Sequence, residues 1–162
     1  MTPDAETIRR FLRAGFATAI VDGLFSSVLS AFFYGSTVAR LWQGVASVPL
    51  GKEALEGGLF TALVGVGLHV FVAFSWSAAF LLLVLRSARV RAILDSRFGP
   101  AKVAAVFGPL VWVVMSCVVI PVFVHRPPSI TPRWWIQFFG HAVFVGLPMA
   151  LAIRGARPTL RP

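Results

Sequence analysis

Charge is scarce in this chain. Only 13% of its 162 residues are Asp, Glu, Lys or Arg, too few to coat the surface of a water-facing globule. Acid is scarcer still, with six carboxylates against fifteen Lys and Arg residues and a formal net charge of +9. The lone cysteine, Cys117, excludes an intrachain disulfide and, lying inside an apolar run, reads as a packing residue. The stretches between apolar runs are short. They hold no nucleophile motif, phosphate loop or clustered Cys and His ligands, which argues against a soluble-type enzyme. There is no internal repeat and no break that would mark a second domain, so one domain is expected over residues 1–162. The period-two alternation of an outer-membrane barrel is missing too.

What the chain does have is apolar length. Hydrophobic residues make up 57% of it, with a mean hydropathy of +0.83. Four runs are nearly free of charge: Ala14 to Ala39, Gly57 to Leu85, Val103 to Val124 and Trp134 to Ile153. Each reaches the roughly 20 residues a helix needs to cross the hydrocarbon core at about 1.5 Å per residue. The expected fold is all-α, a polytopic four-transmembrane-helix bundle with spans at about 11–34, 59–85, 102–124 and 134–153. The first run follows arginines and ends near Thr37-Val38-Ala39, the outline of a signal peptide, but its length and internal Asp22 predict a retained span.

The positive charge is unevenly distributed. Arg9, Arg10 and Arg13, the five basic residues from Arg86 to Lys102, and Arg154, Arg157 and Arg161 fall on one side of the expected bilayer. Eleven basic residues there face four on the other side, Arg40, Lys52, Arg126 and Arg133. That bias predicts cytoplasmic N- and C-termini in a bacterial inner membrane, and lipid rather than nucleic acid as the partner of the charge.

Outside the spans, Asp4 is a candidate cap that would start the first helix ahead of the membrane. In the first outer loop Val38, Leu41, Trp42 and Val45 recur at helical spacing until Pro49 and Gly51, predicting a short interfacial helix and then a second one at Lys52 to Leu55. An irregular loop folded over the bundle mouth is the alternative. Arg86 to Gly99 reads as a solvated connection along the headgroups, and His125 as an exposed loop residue. Trp134 and Trp135 stand where an interfacial aromatic anchor is expected, and Pro109, Pro121 and Pro148 predict kinks.

Within the spans, Gly15, Ala19, Gly23, Ser27, Ala31 and Gly35 recur every four residues, a stripe of small side chains along which a neighbouring helix can pack closely. Beside it lies a polar stripe of Thr18, Asp22, Ser26 and Ser30. The second span carries His69 among small residues, and the fourth has Gln137 and His141 one turn apart. Counting at about 1.5 Å per residue puts His69 roughly 15 Å, His141 roughly 10 Å, Asp22 roughly 16 Å and Ser116 roughly 12 Å below the same boundary. An unpaired carboxylate at mid-bilayer costs about 2.5 to 3.5 kcal/mol, so Asp22 needs a partner or a proton, and His69 is nearest in depth.

Several roles fit such a layer. It would act as interhelical glue in a non-catalytic accessory or scaffold subunit packed against other membrane proteins or its own copies. Alternatively His69 and His141 would hold haem b, or a metal together with Asp22. A third role is proton or small-solute conduction through Asp22, His69 and His141, although the inner half of the helices looks apolar. The many Phe and Trp side chains would also suit a quinone or a pigment.

The segments AIVDG, ARLWQGVASVPLGKEALEGG, GLHVFVAF and GHAVFVGLPMALAIR, which together span most of the chain, resemble the YagU-like tetraspan inner-membrane proteins of bacteria. The resemblance implies a four-helix membrane unit with Asp22, His69 and His141 at motif positions, and no established reaction.

Overall fold

The computed structural model describes residues 4–158. The basic count includes Arg161, which lies outside the described residues. Asp4 sets where the first helix begins, its carboxylate accepting from the Thr7 N–H at 2.7 Å. Glu6 in the first turn pairs with Arg9 and with Arg10, so α1 (Ala5–Phe33) starts in polar sequence well before its apolar run. Three more long helices follow: α3 (Gly58–Arg86), α5 (Gly99–Val124) and α6 (Pro132–Ile153). All four are long and apolar enough to cross a bilayer, and the protein is a four-span helical membrane protein. Large apolar side chains such as Phe32, Phe60, Val106 and Phe139 face outward, where lipid covers them.

Between the first two spans lies α2 (Val38–Leu50), capped by Thr37, whose hydroxyl accepts from Arg40 N–H at 3.0 Å. It ends at Gly51, where φ is +86°, and a 3-10 turn, Lys52–Glu56, leads into α3. The sequence places an amphipathic helix here with its apolar face on the headgroups. In the structure Leu41, Trp42 and Val45 of that face turn towards the space between the spans while Val38 stays exposed, the helix packs on α3, and Gln43 is buried, donating to Gly58 O at 3.0 Å. Gly65 permits the close approach: a Cβ there would fall onto the Trp42 carbonyl.

The connection after α3, read as lying along headgroups, folds as a helix, α4 (Ala88–Asp95). Ser87 caps it, Leu94 is buried in the core, and Arg91 closes the end of α3 by donating to Val84 O at 2.8 Å and Leu85 O at 2.7 Å. Arg10 donates to Arg154 O, and Arg157 pairs with Asp95 at 2.7 Å, so the N-terminal helix, α4 and the C-terminal segment meet at one end of the bundle. This is the basic end. The other, carrying α2 and the α5–α6 loop, is the loop end.

Three spans contain a π-helical turn, at Leu29–Phe33, Met115–Val119 and Ala142–Gly146. The second and third sit just ahead of Pro121 and Pro148, whose rings cannot donate to the preceding turn and crowd its carbonyls; a wider turn relieves both problems. The small-residue stripe does not keep to one face: at about 3.6 residues per turn a four-residue repeat drifts by about 40° each step, so Gly15, Ala19 and Gly23 face α3 and α2, whereas Leu29 and Ser30 are buried in its place and Ala31 is exposed. Ser27 is half-buried, and Gly35 stands beyond the helix at φ +62°.

α1 packs against α3 and α6, and α5 packs against α6. The α5–α6 seam is tight because Gly108 lies against the backbone of His141. Among the described residues α3 and α5 share no comparable seam. They are bridged by α2 at the loop end and, towards the basic end, by Phe80 packed at a tilt against Phe107 with ring centroids 4.6 Å apart.

Candidate functional site

The polar stripe of α1 faces a cavity of about 470 Å³ between the spans. α1 contributes Thr18, Asp22 and Ser26; α3 contributes His69 and Trp76; α5 contributes Trp112; α6 contributes Gln137 and His141. Leu41, Trp42, Val45 and Val48 of α2 form its roof, and Leu68, Val72, Met115 and Val119 supply apolar walls. The fourth member of the stripe, Ser30, is turned aside and donates to Thr37 O at 3.3 Å. Of the residues the sequence places in one polar layer, Asp22, His69, Gln137 and His141 therefore meet around a common space.

Ser116 goes elsewhere. Its hydroxyl donates to Trp112 O at 2.7 Å and accepts from Trp134 Nε1–H at 2.9 Å, in a separate groove at the loop end. Depth alone put it with the others; the direction of the side chain around α5 separates it. Cys117 is free and half-buried, with its sulfur 3.6 Å from Ser116 Oγ. His125 is exposed and ends α5 in the left-handed conformation at φ 52°.

The two imidazoles are oriented by backbone carbonyls, which can only accept. His69 Nε2–H donates to Ala19 O at 3.0 Å across the α1–α3 interface, and His141 Nδ1–H donates to Gln137 O at 2.8 Å one turn back. That fixes which nitrogen remains. His69 presents Nδ1 to Asp22 Oδ2 at 4.0 Å, a facing pair beyond hydrogen-bond distance, and His141 keeps Nε2. Asp22 is 8% exposed and its Oδ1 has no partner. Thr18 Oγ1, Trp112 Nε1 and Gln137 Oε1 are likewise buried without partners, and all four side chains line the same cavity. Buried polar atoms are ordinarily paired, so four orphans around one cavity set this space apart from the rest of the interior.

Indoles flank the imidazoles. Trp42 lies 5.1 Å from His69 and Trp112 lies 4.9 Å from His141, ring centroid to centroid. Neither indole is evident as a site residue in the sequence. Trp42 shows only the helical spacing of the first loop, and Trp112 stands in an unbroken apolar run. Two exposed rings, Phe71 of α3 and Phe123 of α5, also line the cavity, so it opens sideways where those spans lack a seam.

Towards the basic end the polar lining stops. Phe80, Met149 and Ile153 are fully buried there, and Ser77 among them spends its hydroxyl on Ala73 O at 2.8 Å. Among the described residues no three His, Cys, Asp or Glu side chains gather closely enough to hold a metal ion. No protein-family model, curated protein or solved structure matches the chain.

Proposed function

We propose that the protein binds a small, mostly apolar molecule with a polar end, taken sideways from the bilayer into the cavity between its spans. The observation that carries this reading is the set of partnerless buried atoms on Thr18, Asp22, Trp112 and Gln137 around one apolar-walled space. Such a pocket, largely hydrophobic with a few convergent polar groups, is the usual form of a small-molecule site, and about 470 Å³ is within the usual range. Quinones and pigments belong to this class. Axial ligation of haem b by His69 and His141 fits it less well, because His69 spends Nε2 on Ala19 O and the nitrogen that remains, Nδ1, faces Asp22 Oδ2 at 4.0 Å. Conduction through Asp22, His69 and His141 lacks polar groups to carry it on towards the basic end. An accessory or scaffold role, the reading composition favours, rests on exposed apolar side chains that lipid satisfies equally well.

The orientation is part of the proposal. The basic end faces the cytoplasm of a bacterial cell by the excess of Lys and Arg, in keeping with the resemblance to the YagU-like proteins. With Cys117 replaced by Ser, a cysteine at Ser129 labels from outside intact cells and one at Ser96 does not; the reverse pattern overturns the orientation.

Native mass spectrometry of protein extracted in mild detergent tests the binding reading. A small organic molecule leaves the wild-type protein at near one-to-one stoichiometry, and Ala73→Phe, which fills the cavity, prevents its capture. A protein that carries nothing and responds to no added amphiphile overturns the reading.

A further inference from the structure

The hydrogen-bonding groups on the cavity wall are not balanced. Asp22 Oδ1, Gln137 Oε1, His69 Nδ1 and His141 Nε2 are acceptors when the histidines are neutral, because each imidazole spends its N–H on a backbone carbonyl. Trp112 Nε1 donates only, and Thr18 Oγ1 can do either. Asp22 and His69 face one another acceptor to acceptor at 4.0 Å, and no Lys or Arg side chain lines the cavity. Such an arrangement calls for a molecule that brings donors and positive charge.

Aromatic rings point to the same chemistry. Three of the five tryptophans, Trp42, Trp76 and Trp112, line the cavity, and an indole face attracts a cation most strongly where water is excluded. The apolar walls formed by Leu68, Val72, Met115 and Val119 suit a hydrocarbon body rather than a hydrated ion. Entry between Phe71 and Phe123 suits a molecule already dissolved in the bilayer.

We propose that the ligand is a lipophilic amine, whose ammonium group donates to the Asp22 carboxylate and to the free nitrogens of His69 and His141, with its apolar body among the indoles and aliphatic walls. This rests on the reading of the cavity as a binding site and adds the charge of the occupant. The pairing forms a charge-assisted contact without a protein cation, and it excludes fatty-acid-like anions by repulsion from the same carboxylate.

Tryptophan fluorescence of the purified protein in neutral-lipid nanodiscs, titrated with dodecylamine, dodecanol and dodecanoate, separates the possibilities. Dodecylamine binds at least about tenfold more tightly than dodecanol, the return expected of a desolvated cation–π contact with a charge-assisted hydrogen bond, and dodecanoate binds weakest. Asp22→Asn brings dodecylamine down to the level of dodecanol and leaves dodecanol unchanged, whereas Asp22→Glu keeps the preference for amine. Equal binding of amine and alcohol by the wild-type protein, or full amine binding by Asp22→Asn, overturns the amine proposal and leaves the cavity reading standing. No response to any of the three overturns both. The wild-type ratio requires no variant, so a poorly folding Asp22→Asn protein does not rescue the proposal.

Discussion

The two halves of the bundle are built on opposite principles. At the basic end, Phe80, Met149, Ala150 and Ile153 are fully buried, Leu94 of α4 plugs the space between spans, and buried polar groups such as Ser77 are paired. At the loop end the same four helices leave about 470 Å³ between them, lined by side chains whose buried polar atoms have no partner. The contrast separates stability from function within one small protein. One half holds the helices in register, and the other is free to be shaped by what it binds.

Substitutions at the two ends should therefore fail in different ways. The largest effect is expected from Phe80→Ala, which removes the ring joining α3 to α5 and should cost about 3–5 kcal/mol of stability. Thermal unfolding in detergent measures it, and amphiphile binding by the protein that remains folded should be nearly normal. Loss of binding without loss of stability would erase the division between the halves. Gly108→Ala comes next. Its methyl meets the His141 backbone rather than a movable side chain, and overpacking of this kind costs about 1–3 kcal/mol. Because the same seam seats His141, both unfolding temperature and ligand affinity should fall, which makes it the substitution that couples the halves.

Thr18→Val is expected to act in the opposite sense. It keeps the shape of the side chain while removing a hydroxyl that is buried without a partner, so stability should rise by about 1 kcal/mol. A fall of that size would mean that the hydroxyl is engaged in the unliganded protein. The smallest effect belongs to Arg157→Ala. Its ion pair with Asp95 is more than half exposed on the arginine side, so no more than about 0.5 kcal/mol is at stake.

The sequence reveals the spans because lipid demands long apolar helices whatever their neighbours do. It misses most of what depends on docking. α4 escapes because its alternating arginines look solvated, yet Arg91 is needed at the end of α3 and Leu94 is needed in the core. The face of α2 is legible as a helix face, but whether headgroups or a cavity covers it depends on Gly65 admitting the Trp42 backbone. The stripe from Gly15 to Gly35 repeats every four residues while the helix turns about every 3.6, so it winds off the seam by Ala31. Depth counting brings Asp22, His69 and His141 to similar levels because rise per residue is nearly invariant, and Gln137 joins them as the residue one turn before His141. The count carries no azimuth, and so includes Ser116, whose hydroxyl lies with Trp134 instead.

The missing seam between α3 and α5 carries a kinetic consequence. A guest that slips in past Phe71 and Phe123 arrives from among the acyl chains, and only its polar end has to leave the hydrated headgroup layer on the way. Its rates of arrival and departure would then follow its partition coefficient and the fluidity of the surrounding acyl chains, and aqueous dilution alone would wash it out slowly.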